Sequence, residues 1–208
     1  VEDYLSEQEQ WDKVRGWLAQ NGIWLIAGVA LAGAGLWGWK AWQARAENRL
    51  LEAAAGYQQV IAAFGKNDLA TVTMLADKLA SEHPGTGYAE QSQLAVARLQ
   101  VENSQLPAAL ERLQKVMGAT SDAELALTVR LRIARLQIEQ NKADEALATL
   151  AAAEPGAFAP RYAEVRGDAL LAKGDRAGAL KAYREAQSAS APGAGDLLAL
   201  KINELTRS

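Results

Sequence analysis

Residues 22–39 read GIWLIAGVALAGAGLWGW, 18 positions without one ionisable side chain, and the charge-free window extends back to Gly16. Nothing else constrains this chain as strongly. At 1.5 Å rise per residue, a helix of that length spans about 27 Å, close to the ~30 Å hydrocarbon core of a bilayer. Peptide groups in hydrocarbon must bond within their own segment, and a helix does that. Trp17 and Trp24 stand near one end of the run, and Trp37, Trp39 and Trp42 near the other. Indole favours the headgroup boundary because its ring is apolar while its N–H needs a partner. A single transmembrane helix is therefore expected over residues 21–40, between a tail at 1–20 and a domain at 41–208. A buried core helix is the competing reading, but core helices are rarely this long and uncharged on every face. A cleaved signal would begin basic, whereas five acids stand against two bases before Asn21. With no small-residue cleavage site following, the segment reads as an uncleaved anchor.

In the tail, Ser6-x-x-Glu9 forms a capping box, and Leu5, Trp11, Val14, Trp17 and Leu18 recur at helical spacing. This predicts a short helix lying near the membrane surface before the span, with a partly disordered tail as the alternative. Lys13 and Arg15 precede the span, and Lys40, Arg45 and Arg49 follow it. That balance leans slightly toward a cytoplasmic C-terminal side and does not fix the orientation. Gly33-Ala-Gly35-Leu-Trp-Gly38 matches the dinucleotide fingerprint GxGxxG, but both flanks belong to one apolar run instead of a strand and a helix start. Gly28, Ala32 and Gly35 fall on one helix face. They form a small-residue stripe that would let a second membrane helix approach, with plain exposure to membrane lipid as the alternative.

Beyond the span, alanine, Leu, Glu, Arg, Lys and Gln favour helix. Residues 44–208 carry 19 Lys and Arg against 20 Asp and Glu, a balance of −1, so no nucleic-acid partner is expected. The chain has no cysteine, which removes disulfides, thiol catalysis and zinc-thiolate sites. Helix is expected to continue over 41–64 with a stripe of Leu50, Ala54, Tyr57 and Ile61, and to stop at Gly65-Lys-Asn-Asp68. Asp68 can cap a helix over 69–81 that turns Val72, Leu75, Ala76 and Leu79 inward. His83-Pro84-Gly85 ends it, and His83, the one histidine, reads as a solvated loop residue.

From Tyr88 onward the chain repeats itself. Ala97, Ala134 and Gly167 are each followed 12 residues later by Ala109, Ala146 and Ala179. Four further on stand Leu113, Leu150 and Tyr183, and three beyond those Val116, Ala153 and Ala186. The copies are offset by 37 and then 33 residues. A small residue at each helix crossing lets two backbones pack closely, and the pattern resembles the tetratricopeptide repeat. The third copy is the clearest, with Gly174 at its turn and Pro192 at its exit. The first departs most, with Gln93, Gln100 and Ser104 in place of large or turn-forming residues, and residues 69–84 look like half of a fourth copy. Leu197, Leu198, Leu200, Ile202 and Leu205 can close the stack, because such arrays need caps. The expected fold is all-α: a transmembrane helix, a tetratricopeptide-like solenoid and a C-terminal capping helix.

No carboxylate pair, Ser/His/Asp set or ligand cluster stands out, so neither an enzyme, a cofactor nor a small-molecule substrate is expected. Arg98, Arg135 and Asp168 occupy equivalent sites, each one residue after the crossing residue. In tetratricopeptide arrays that face tends to line a concave groove, which makes these three the recognition candidates. A solvated ion-pair face accounts for them equally well.

Several stretches together resemble the YfgM-type ancillary subunits of the bacterial Sec translocon. They are Ala19-Gln-Asn21-Gly22, the span ending Gly38-Trp39-Lys40-Ala-Trp42, Leu131-Arg132-Ile-Ala-Arg135-Leu136, Arg166-Gly-Asp168-Ala-Leu-Leu-Ala-Lys-Gly174-Asp175 and Leu200-Lys201-Ile202-Asn203-Glu-Leu205. The resemblance covers essentially the whole chain. It implies a Gram-negative inner-membrane protein with a cytoplasmic tail and a periplasmic repeat domain. It further implies association with the SecYEG channel and with a membrane-anchored periplasmic chaperone of the prolyl-isomerase type. The function it suggests is a non-catalytic scaffold that aids hand-over of translocated proteins. An accessory or regulatory subunit of another cell-envelope complex is the alternative, since fold does not fix function.

Overall fold

The computed structural model describes residues 7–190 and 196–207, which form nine α-helices and no strand. The chain divides into two units, residues 1–51 and 52–208.

The first unit consists of the N-terminal part of α1 (Glu7–Phe64), a helix of 58 residues whose C-terminal part belongs to the second unit. It carries the one segment among the described residues that is long and apolar enough to cross a membrane, and none of that segment is buried inside the protein. Trp24, Val29, Leu31 and Trp37 all lie about three-quarters exposed around the helix, which is not the surface of a core helix. The separate short helix expected in the tail is corrected: residues 7–20 are the first turns of α1 itself, because no glycine pair or proline interrupts the hydrogen-bond ladder. The Ser6 capping box and Pro192 lie outside the described residues. Helix also runs unbroken through Gly33–Gly38, so the strand-to-helix turn a dinucleotide motif needs does not exist there.

The second unit is a ladder of helix pairs. The end of α1 pairs with α2 (Leu69–Glu82), α3 (Gly87–Glu102) with α4 (Leu106–Ala119), α5 (Ala123–Glu139) with α6 (Ala143–Ala151), and α7 (Ala159–Ala172) with α8 (Arg176–Ala189). A single 3₁₀ turn, Gly156–Phe158, leads into α7, and α9 (Asp196–Arg207) packs on α8.

The four pairs share one turn. Asn67, Ser104, Asn141 and Gly174 all have left-handed backbone, φ between 55° and 84°. In each, the amide of that residue reaches back three residues and the next amide reaches back five, as in Asn67 N to Phe64 O and Asp68 N to Ala63 O. This is the Schellman arrangement, and it satisfies carbonyls the helix end would otherwise strand. The residue after it, Asp68, Gln105, Lys142 or Asp175, starts the next helix. So the half copy expected at residues 69–84 is a full one whose first helix is the end of α1. Its crossing set Val60, Val72, Ala76 and Leu79 follows the same 12-4-3 spacing, buried throughout.

Crossing residues and their partners trade size. Val60 shares a core cluster with Ala76, Ala97 with Leu113, and Ala134 with Leu150, while Gly167 lies against the ring of Tyr183. Close packing at native density requires this compensation. Ala153 departs from the pattern: α6 stops at Ala151, leaving Ala153 beyond it and only half-buried.

Two expected faces and the setting of His83 are corrected. On α1 the buried residues are Ala53, Val60 and Ala63, whereas Leu50 and Ile61 are exposed and Ala54 and Tyr57 are only partly covered. The smaller side chains take the tight face against α2. On α9, Leu198 is buried with Ile202 and Leu205 packed beside it, and Leu197 and Leu200 face solvent, since a 3.6-residue period cannot turn all five inward. His83 is buried, with an unpartnered Nδ1 beside a cavity of about 320 Å³ shared with Glu52, Gln59 and Glu82. Residues of α1 about thirty positions earlier cover it, which its neighbours in sequence do not reveal.

Candidate recognition groove

First helices of the first three pairs, the end of α1, α3 and α5, enclose an open cavity of about 520 Å³. Its apolar lining comes from Tyr57, Ile61 and Phe64 of α1, Leu94 and Val101 of α3, and Leu136 of α5. That volume lies within the roughly 300–1,000 Å³ range of ligand-binding clefts.

The position one residue after each crossing residue supplies Ile61, Arg98 and Arg135 to this cavity. Arg98 and Arg135 are therefore brought together as the spacing predicts, and Arg132 joins them. The Arg98 Nε donates to Glu102 Oε1 at 2.8 Å, and its guanidinium lies 5.4 Å from the Phe64 ring centroid. Such stacking on an aromatic face holds the charge in place without burying it. Arg132 and Arg135 are exposed, one helical turn apart on α5, and make no ion pair or hydrogen bond with the described residues. Arg132 was legible in principle, since an Arg three residues before Arg135 must share its face.

Asp168, the fourth equivalent position, does not line the cavity. Its Oδ1 accepts from Lys201 Nζ at 2.7 Å and from the Tyr183 hydroxyl at 2.7 Å, and Lys201 also reaches Glu164 at 3.0 Å. The expected groove thus sits one copy nearer the N-terminus, and Asp168 fastens α9 to α7 and α8. Burial disfavours the Lys201 charge, but its bonds to Asp168 and Glu164 outweigh that and raise its pKa. Burial, with the hydrogen bond to Asp168, also drives the Tyr183 pKa far upward, so the phenol stays neutral.

On the outer side, Gln93 is not a defect of the first copy. It bridges Asp77 of α2 and Arg112 of α4, and Arg112 donates to Asp77 at 2.8 Å. Burial raises the Asp77 pKa, and the bonds from Arg112 and Gln93 more than reverse this. In the second copy Gln137 is buried and accepts from Thr149 at 2.8 Å.

In the first unit, a side-chain carbon added at Gly28 or Gly35 would meet nothing within 4 Å, so the stripe with Ala32 is an open surface.

A tetratricopeptide repeat-like domain model matches residues 15–207. The chain is 32% identical over 207 residues to the ancillary SecYEG translocon subunit of Escherichia coli K12, covering 99% of this chain and all of that one. The chain belongs to the ancillary SecYEG translocon subunit family. Relatives of the same name in Aggregatibacter actinomycetemcomitans and Haemophilus influenzae are 27% and 25% identical, each over 97% of this chain and 98% of the relative.

Proposed function

We propose that the protein is a non-catalytic, membrane-anchored scaffold of the Sec translocon, which brings a periplasmic chaperone of the prolyl-isomerase type to newly translocated chains. Its residues 21–40 cross the inner membrane, the tail lies in the cytoplasm and the repeat domain in the periplasm. The observation that carries this reading is the arginine-rimmed apolar cavity on the repeat array. It is a recognition surface with Arg98 and Arg135 on its wall and no catalytic set around it. The relatives' shared name supports the translocon as the site of action, and Gly28, Ala32 and Gly35 offer a face on which a channel helix can pack.

Crosslinking in native membranes tests the scaffold. Recovery of the Sec channel together with the chaperone is expected, and recovery of cell-wall enzymes without either would overturn the assignment. Protease added to spheroplasts should digest residues 44–208 and spare the tail. The opposite pattern would reverse the topology.

A further inference from the structure

The cavity lined by α1, α3 and α5 is charged in a way the rest of the chain is not. Three guanidiniums, Arg98, Arg132 and Arg135, face a single carboxylate, Glu102, which is already bonded to Arg98. The chain as a whole carries a net charge of −3. Arg132 and Arg135 are also like charges at i and i+3 on one helix, an arrangement that mildly opposes helix formation. Two unneutralised guanidiniums beside an apolar floor favour a ligand that brings both carboxylates and hydrocarbon.

We propose that this cavity captures an acidic amphipathic segment of the partner protein, with apolar side chains on the floor formed by Ile61, Phe64, Leu94 and Leu136 and carboxylates paired to Arg132 and Arg135. The proposal deepens the scaffold reading and rests on it. Guanidinium and carboxylate match as two-pronged donor and acceptor, and Arg is among the residues that dominate interface energetics. An amphipathic helix presents apolar groups at i, i+3 and i+4 with charge on its flanks, which suits an apolar floor with a cationic rim. Because the three guanidiniums come from two helices, they offer separate anchoring points. Carboxylates spaced along a peptide use all of them, whereas one lipid headgroup cannot.

The test uses the full chain in neutral detergent and two labelled peptides. One carries Leu and Phe at i and i+4 with Glu on the flanks, and the other has Gln at every Glu. Fluorescence anisotropy should show the Glu peptide binding at least about tenfold more tightly, with the preference fading as salt is raised. The double variant Arg132→Gln/Arg135→Gln should lose that preference and bind both peptides alike. Circular dichroism should show its helix content unchanged, since both side chains are exposed. Lys181→Gln, on α8, should behave as wild type. Equal binding of the two peptides to the unaltered chain, or full retention of the preference in the double variant, would overturn the proposal. So would displacement of the Glu peptide by phosphatidylglycerol in mixed micelles through the same arginines, which would make the site a lipid site. If peptide binding fails while crosslinks to the channel and chaperone persist, this inference alone falls. If peptides bind as stated but those crosslinks are absent, the translocon assignment falls and the cavity's chemistry stands.

Discussion

Gly167 of α7 and Tyr183 of α8 occupy one crossing, with the glycine leaving room for the ring: a side-chain carbon at 167 would stand 2.5 Å from Tyr183 Cδ1. Alanine fills the same position in the two preceding copies, where the partner is leucine. Gly167→Ala should therefore destabilise the domain by about 1–3 kcal/mol through overpacking, less a helix-propensity gain of roughly 1 kcal/mol. Adding Tyr183→Leu should recover part of the loss. Thermal unfolding of the two variants checks both signs, and a Gly167→Ala protein more stable than wild type would contradict the packing account.

Ser104 holds φ at 60° in the turn where the other copies use Asn or Gly. Left-handed backbone costs an ordinary L-residue about 1–2 kcal/mol, and glycine avoids it while adding some freedom to the unfolded chain. Ser104→Gly should raise stability by about 0.5–1 kcal/mol. Denaturant unfolding should move its midpoint upward without a change of slope.

Asp68 and Asp175 accept from the amides of Thr71 and Gly178 at the starts of α2 and α8, while Gln105 at the start of α4 makes no such bond. Gln105→Asp supplies the missing acceptor for the Ala108 amide. A gain of about 1 kcal/mol is expected. Calorimetry should register it as a rise in melting temperature, and no rise would mean that the turn at Ser104 sets the limit there.

Lys201 and Tyr183 both have raised pKa values in the folded chain, and both bond Asp168. Each group binds its proton more tightly folded than unfolded, so its contribution is complete below the unfolded values of 10.0 for Tyr and 10.5 for Lys. It is lost as pH rises through the folded values. Hydrogen exchange at pH 10–11 is therefore expected to show α9 and α8 opening before α3 and α4. Lys201→Met should flatten that alkaline dependence.

The sequence made the repeat legible because its informative positions are small residues with no other reason to recur: Ala97, Ala134 and Gly167 need neither charge nor partner. The same logic hid the copy made by α1 and α2. Val60 and Val72 do not look like crossing residues until Ala76 is seen to yield the space. Position after the crossing residue pointed to Arg98 and Arg135, which both line the cavity. It misplaced Asp168, because the last pair faces a cap instead of another pair, and Lys201 meets the carboxylate there. A groove was expected from the repeat, but its apolar floor was not readable. Phe64, Leu94 and Leu136 lie far apart in sequence, and a concavity arises only when three copies are stacked.

One consequence concerns order in time. Each of the four shared turns closes on residues no more than five positions back, and the described helices of the array pack chiefly on those immediately before and after them. Local contacts of this kind belong to chains that fold within microseconds to milliseconds, because little entropy is lost in closing each step. A chain built this way is expected to gather its structure as its length becomes available, with α2 docking on α1 while α8 is still to come. Pulse-labelled exchange on growing lengths of the chain should show protection advancing pair by pair. Lys201 of α9, bonded to Asp168, then acts as a stitch across the α7–α8 pair: until α9 arrives, Leu170 and Tyr183 remain at an open edge.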